Sequence, residues 1–207
     1  DIGSVKSLCD KGIYIKNGVM HAIGKASDVA EMFIKEMREN LNEEHKKFAR
    51  VSTTFSNTNK EQKEKTQSLK KSNLEFKTSE DFDKKVAQFR YGSGGAKITF
   101  VELLDMDDEP VVEAEFNQEV KLKIYFESEI ENSLSVNYYV SDDKRNLIFG
   151  GGPRLFGEEL LTVQKDCRYC IEYLFKLPLN EGIHSVQIQL SLPVIENQTA
   201  EFLDVID

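Results

Sequence analysis

"EVKLKIYFES", residues 119–128, sets Val120, Leu122, Ile124 and Phe126 against Lys121, Lys123, Tyr125 and Glu127 in strict alternation. Neighbouring strand residues point to opposite faces of a sheet, so this period of two predicts a strand with one apolar face buried and one polar face in water. The period returns in "SLSVNYYVSDD" (133–143), which places Leu134, Val136, Tyr138 and Val140 inward, and in "HSVQIQLS" (184–191), which does the same for Val186, Ile188 and Leu190. "AKITFVELLD" (96–105), "LIFGG" (147–151), "LLTV" (160–163) and "CRYCIEYLFKLP" (167–178) bring the total to about seven short strands separated by turn residues. An antiparallel β-sandwich over residues 88–207 follows.

Upstream the period changes. Gly12-Ile13-Tyr14-Ile15 and Val19–Ile23 flank Lys16-Asn17-Gly18, and Asn-Gly tolerates the positive φ angles of a tight hairpin turn. Gly24 ends the second strand. Ser27 is the expected N-cap of a following helix, Asp28 complements its positive end, and Val29, Phe33, Met37 and Leu41 form its expected apolar stripe. Residues 1–41 thus read as a small α/β unit. Residues 42–87 contain "STTFSNTNKEQKEKTQSLKKSN", too polar to offset the entropy of ordering, and read as a flexible linker with at most a marginal helix near 60–71 docked by Leu69.

The chain of 207 residues has 40% hydrophobic residues, with 13 Phe and 7 Tyr, enough for a core without a disulfide or metal staple. Its net charge of −9 is uneven: 6 Lys/Arg against 6 Asp/Glu in residues 1–40, 11 against 8 in 41–85, and 10 against 22 in 86–207, or 0, +3 and −12. A domain at −12 repels phosphate backbones, which argues against a nucleic-acid partner. No run approaches the ~20 apolar residues of a membrane helix. Three cysteines, Cys9, Cys167 and Cys170, form no disulfide framework and suit a reducing, cytoplasmic compartment.

The motifs that suggest chemistry weaken on inspection. Gly92-Ser93-Gly94-Gly95 precedes a strand rather than a helix, so it suits an entry turn better than a phosphate cradle. Cys167 and Cys170 are three apart in a strand and aim to opposite faces, against zinc ligation. His21, His45 and His184 fall in three separate zones, which argues against a triad. "DMDDEP" (105–110) and Asp142-Asp143 fit solvated turns before calcium or a glycosidase pair.

Two stretches carry a resemblance. "LCDKGIYIKNGVMHAIG" followed by "KASDVAEMF" resembles the end of an ABC-transporter ATPase domain, where a switch histidine and Asp lead into a helix, a hairpin and a closing helix. "FRYGSGGAKITFVELLD" (89–105), "VSDDKRNLIFGGG" and "LPLNEGIHSVQIQLS" resemble the C-terminal domain of Wzt-type ATP-binding subunits of polysaccharide (O-antigen) exporters. The resemblance implies an immunoglobulin-like sandwich that binds the exported glycan in a dimeric subunit. It implies as partners an undecaprenyl-linked O-polysaccharide and a membrane-spanning exporter subunit, at the cytoplasmic side of the inner membrane. The sequence holds no G-x-x-x-x-G-K-[ST], so no catalysis and no cofactor are expected of it; ATP and Mg would bind elsewhere in the parent subunit. "EFLDVID" stands near where the family has a further strand, so the last edge is expected to be unpaired or completed by a partner chain.

Alternation locates the site this implies. If Val136, Tyr138 and Val140 face the core, Ser135, Asn137 and Tyr139 face out; the same logic turns out Gln187, Gln189 and Ser191. In an immunoglobulin-like topology these two strands are neighbours, giving a patch of amides, hydroxyls and a ring suited to sugar hydroxyls and a pyranose face. An ordinary polar sheet face reads the same way. The acidic charge leads to the expectation of a neutral glycan. The rivals are a dimerisation module without glycan binding and a glycan hydrolase or esterase, the latter disfavoured because adjacent His184 and Ser185 point apart on a strand.

Overall fold

A computed structural model describes residues 2–52, 76–195 and 199–207. The chain begins with α1 (Ile2–Leu8), the antiparallel hairpin β1 (Lys11–Lys16) and β2 (Val19–Lys25), and the long helix α2 (Ala26–Ser52). Asn17 (φ 51°) and Gly18 (φ 79°) form the two-residue turn as the dipeptide demands. Two local expectations are corrected. The strand runs directly into the helix, so Ser27 lies inside the first turn, buried, and is not the cap. Phe33 and Met37 are exposed, and the buried side of α2 is Ala26, Val29 and Ala30, continuing through half-buried Ile34 and Arg38 to buried Asn42. The reason is that α2 packs on two surfaces, the hairpin at its start and the sandwich further along, and the second sets its phase.

α2 runs eleven residues beyond the expected limit of the α/β unit. Within the stretch read as linker, α3 (Glu80–Val86) is capped by Ser79, whose Oγ accepts from the Phe82 amide at 3.2 Å. The helix expected at 60–71, with Phe55, Leu69 and Leu74, lies outside the described residues, as do the side chains of Leu41 and Phe48.

Eight strands follow: β3 (Ala96–Leu104), β4 (Gln118–Ser128), β5 (Asn132–Ser141), β6 (Leu147–Gly151), β7 (Leu161–Val163), β8 (Cys167–Leu177), β9 (Ser185–Ile195) and β10 (Thr199–Ile206). They form two antiparallel sheets, β3-β4-β8 and β10-β9-β5-β6, with β7 pairing the first residues of β5. The antiparallel sandwich expected from the alternation, immunoglobulin-like as the resemblance implies, is the fold. Val120, Leu122, Ile124 and Phe126 of one sheet meet Leu134, Val136, Tyr138, Val140, Ile188 and Leu190 of the other, none more than 2% exposed. Phe126 stacks on Tyr169 at 5.2 Å and Tyr138 on Phe175 at 4.7 Å, and the Tyr173 hydroxyl donates across the sheets to the Val136 carbonyl at 2.7 Å.

Tyr125, expected on the polar face, is also buried, because Phe76 packs edge-on against it at 6.1 Å and Thr99 Oγ1 ties down the Lys77 carbonyl at 2.9 Å. The end of the linker stretch therefore crosses the outside of β3-β4. The Cys170 thiol pairs in register with Tyr125 and Cys167 with Ser128, so the sulfurs stand on opposite faces of β8.

The last edge is paired within the chain, correcting the open-edge expectation. β9 flanks β10 on one side, and on the other Tyr91 and Val205 exchange both backbone bonds while the Ser93 and Gly94 amides donate to Phe202 and Leu203. Gly92 has no substitute there: a Cβ would sit 2.1 Å from the Leu203 oxygen. Arg90 completes the closure. Its guanidinium holds both oxygens of buried Asp204, one of Asp83 at 2.7 Å, and the Ile98 carbonyl at 2.8 Å. "FRYGSGG" is thus a clasp for β10.

Candidate functional site

The outer face of the β10-β9-β5 sheet carries the residues singled out above. β5 and β9 pair directly, with Ser135 opposite Ser191, Asn137 opposite Gln189 and Tyr139 opposite Gln187. All six stand on one face, as alternation requires. Their surroundings differ from an open polar surface: Ser135, Gln189 and Ser191 are 5%, 5% and 4% exposed, while Asn137, Tyr139 and Gln187 are half-buried.

The cover is α2. Asn42 makes two bonds to the backbone of Phe202 in β10, donating to its oxygen at 2.9 Å and accepting from its amide at 3.1 Å. The Arg38 guanidinium lies 4.8 Å from the Phe202 ring and donates to the Tyr91 hydroxyl. Lys35 Nζ reaches the Arg90 carbonyl at 2.9 Å. Nearer the start of the chain, the turn at 142–146 receives α1 and the end of β2. Lys6 donates to the Arg145 carbonyl, Lys25 to the Asp143 carbonyl, and Lys144 to the Ser7 carbonyl. That turn is built by Asp142, which accepts from the Lys144 and Asn146 amides and the Asn146 side chain. Asp105 organises the 105–109 turn in the same way, so both acidic clusters shape their own loops.

Between α2 and the sheet lies a cleft of about 350 Å3. Tyr139, Gln187 and Gln189 form its floor, and Ile34, Arg38 and Phe202 part of its wall. Gln189 donates to Gln187 at 2.5 Å, fixing the orientation of that amide, and the Ser135 hydroxyl donates to Asn137 at 3.0 Å. Asn137 also packs on the backbone of Gly152, where a Cβ would lie 2.0 Å from its Oδ1. Burial pushes the Tyr139 phenol above its ordinary pKa, with nearby Arg38 opposing, so the hydroxyl is neutral and able to donate. Lys6 and Arg145 line the cleft too, paired with Glu31 and Asp207. Arg38 has no carboxylate partner among the described residues.

The sequence reading missed Arg38, Lys6 and Arg145. Arg38 was legible in principle, since Ala30, Ile34, Arg38 and Asn42 are spaced by four and share a helix face; the other two depend on a tertiary meeting of α1 with the 142–146 turn.

No helix among the described residues is long and apolar enough to cross a membrane. A search of curated proteins returns no match. Among solved structures the chain is similar to one titled "Crystal structure of the C-terminal domain of wzt", at TM-score 0.53 and 18% identity over 56% of this chain and 71% of that one, a likeness of fold. Residues 87–207 match the family model described as the Wzt C-terminal domain. That match spans more than half of the chain and coincides with the sandwich and its Arg90 clasp, and the chain belongs to the Wzt C-terminal domain family.

Proposed function

We propose that this domain of a polysaccharide ABC exporter subunit recognises the exported glycan, with residues 1–41 as the closing elements of the subunit's ATP-binding domain. One observation carries the reading: the register of β5 on β9 gathers Asn137, Tyr139, Gln187 and Gln189 on one face, and the last three of these line the cleft beneath α2. Amides bond vicinal hydroxyls in pairs, and a half-buried phenol offers a ring to the apolar side of a pyranose and a donor to its oxygens. Tyr139 and Gln187 are the contacts, Gln189 holds Gln187 in orientation, and Ser135 does so for Asn137. Ser191 is buried opposite Ser135 on the same face. Binding of this kind is weak for each sugar and repeated along a chain.

In this reading the domain presents an undecaprenyl-linked O-polysaccharide to the membrane-spanning exporter subunit from the cytoplasmic face, the parent subunit works as a dimer, and ATP and Mg act in the part of it that carries the phosphate loop. The chain itself catalyses nothing. A charge of −12 over residues 86–207 favours a neutral glycan at long range, whereas within the cleft the cations Lys6, Arg38 and Arg145 outnumber Glu31 and Asp207.

Calorimetric or NMR titration of the chain with the O-polysaccharide of the strain that encodes it tests this. Saturable binding that is lost in Asn137→Ala/Tyr139→Ala, with the fold intact, is the expected result. A folded chain that does not bind would leave dimerisation as the role of the domain.

A further inference from the structure

One end of the sandwich carries a second surface, of different chemistry. The loop from β3 to β4 and the loop from β8 to β9 flank a groove of about 740 Å3. Leu103, Val140, Leu177 and Val186 reach its floor from the core, and Val112, Phe116 and Ile183 stand on its two banks at 93%, 70% and 80% exposure. Single exposed apolar side chains are ordinary; three large ones on facing loops around one groove form a patch of the kind that marks an interaction site.

The charges around it have one sign. Glu113, Glu115 and Glu181 line the groove, no Lys or Arg does, and none of the three carboxylates is in an ion pair with a described residue. Just outside, Asp108 is held by both Lys121 and Lys123, so the available cations are spent on the neighbouring turn. An apolar floor with an uncompensated acidic rim complements a segment that is apolar on one side and basic on the flanks. A second copy of this chain meets it poorly, because a two-fold contact would set acidic rim against acidic rim. Anionic lipid headgroups are repelled for the same reason.

We infer that this groove docks a basic amphipathic segment of a partner protein, its apolar stripe on Val112, Phe116 and Ile183 and its Lys/Arg against Glu113, Glu115 and Glu181. The groove lies beyond the end of β5, whose turn at 142–146 receives α1, so a docked segment sits beside the α/β unit and away from the cleft under α2. This surface is independent of the glycan reading, and either can fail without the other.

The probe is a synthetic peptide of about four helical turns, Leu on one face and Lys on the other, with a scrambled peptide of the same composition as control, each titrated into the full chain by fluorescence anisotropy. The amphipathic peptide is expected to bind at least about tenfold more tightly than the scrambled one. Val112→Ser/Phe116→Ser/Ile183→Ser should abolish that difference, and Glu113→Gln/Glu115→Gln/Glu181→Gln should weaken binding and flatten its dependence on salt. Because the substituted side chains are exposed, the melting temperature serves as the control for folding, and amide shifts should fall on residues 111–116 and 179–186. Equal binding of the two peptides, binding that survives the triple serine variant, shifts elsewhere, or no binding overturns the inference. So does sedimentation showing a dimer that the serine variant dissolves, which would give the groove to a second copy.

Discussion

Phe126 and Ile13 both lie in strands with a period of two, yet Phe126 is sealed between sheets and Ile13 is 58% exposed. In the sandwich the apolar side of each alternating strand finds a facing sheet. In the hairpin the order is inverted: Gly12 and Tyr14 turn toward α2, and Ile13, Ile15, Met20 and Ile23 turn away from it. The sandwich therefore holds its own core, while the α/β unit is held by what it touches. Those contacts are mostly lysines, an arginine and an asparagine bonded to backbone carbonyls and rings, the composition of a domain interface that can part.

The sharpest way to break the comparison is to attack the sandwich from inside. Phe126→Ala should cost about 3–5 kcal/mol and bring down the whole cooperative unfolding transition in urea, whereas Val29→Ala under the hairpin should leave the sandwich transition in place. Next in size is the clasp. Arg90→Ala strands the buried Asp204 carboxylate and should cost on the order of 3 kcal/mol, with Arg90→Lys recovering only part of it because the two-point grip is lost. A smaller effect is expected from Arg38→Ala/Asn42→Ala. Detaching α2 should change sandwich stability by about 1–2 kcal/mol but speed hydrogen exchange at the Phe202 amide and uncover Gln187 and Gln189. Unchanged exchange would mean that the interface holds without these side chains.

The smallest effect concerns pH. Burial pushes the Asp142 carboxyl up, but its bonds from the Asn146 side chain and the Asn146 and Lys144 amides outweigh that and hold it below the ordinary carboxylate value. Its contribution is present above the unfolded carboxylate pKa, about 4, and is lost as pH falls through the lower folded value. Amide resonances of Lys144 and Asn146, and the docking of α1 on them, should loosen only in acid; loosening near neutrality would count against this account.

Much of the sandwich was legible because a strand buried on one face writes its environment every second residue. Leu134, Val136, Tyr138 and Val140 needed nothing more. That β5 and β9 are neighbours was expected from the resemblance, and the structure adds the register that aligns Asn137 with Gln189. Three things did not follow. The phase of α2 was hidden because Phe33 and Met37 repeat at helical spacing as well as Ile34 and Arg38 do, and only the sheet beneath decides which set turns inward. The burial of Tyr125 depends on Phe76, forty-nine positions away, crossing above it. Arg90 offered a side chain with five donors and no sign that its acceptor lay at Asp204.

That clasp also sets the order in which the chain can acquire its shape during synthesis. Arg90 and Asp204 are separated by 114 positions, a span that a ribosome covers in on the order of ten seconds. Throughout that interval β3 lacks the buried carboxylate that receives the Ile98 amide, and the segment at 91–94 lacks the strand it binds. A nascent sandwich must therefore wait with an open flank until its last strand emerges, and any stall in translation over those codons prolongs the time for which it can pair with the wrong neighbour.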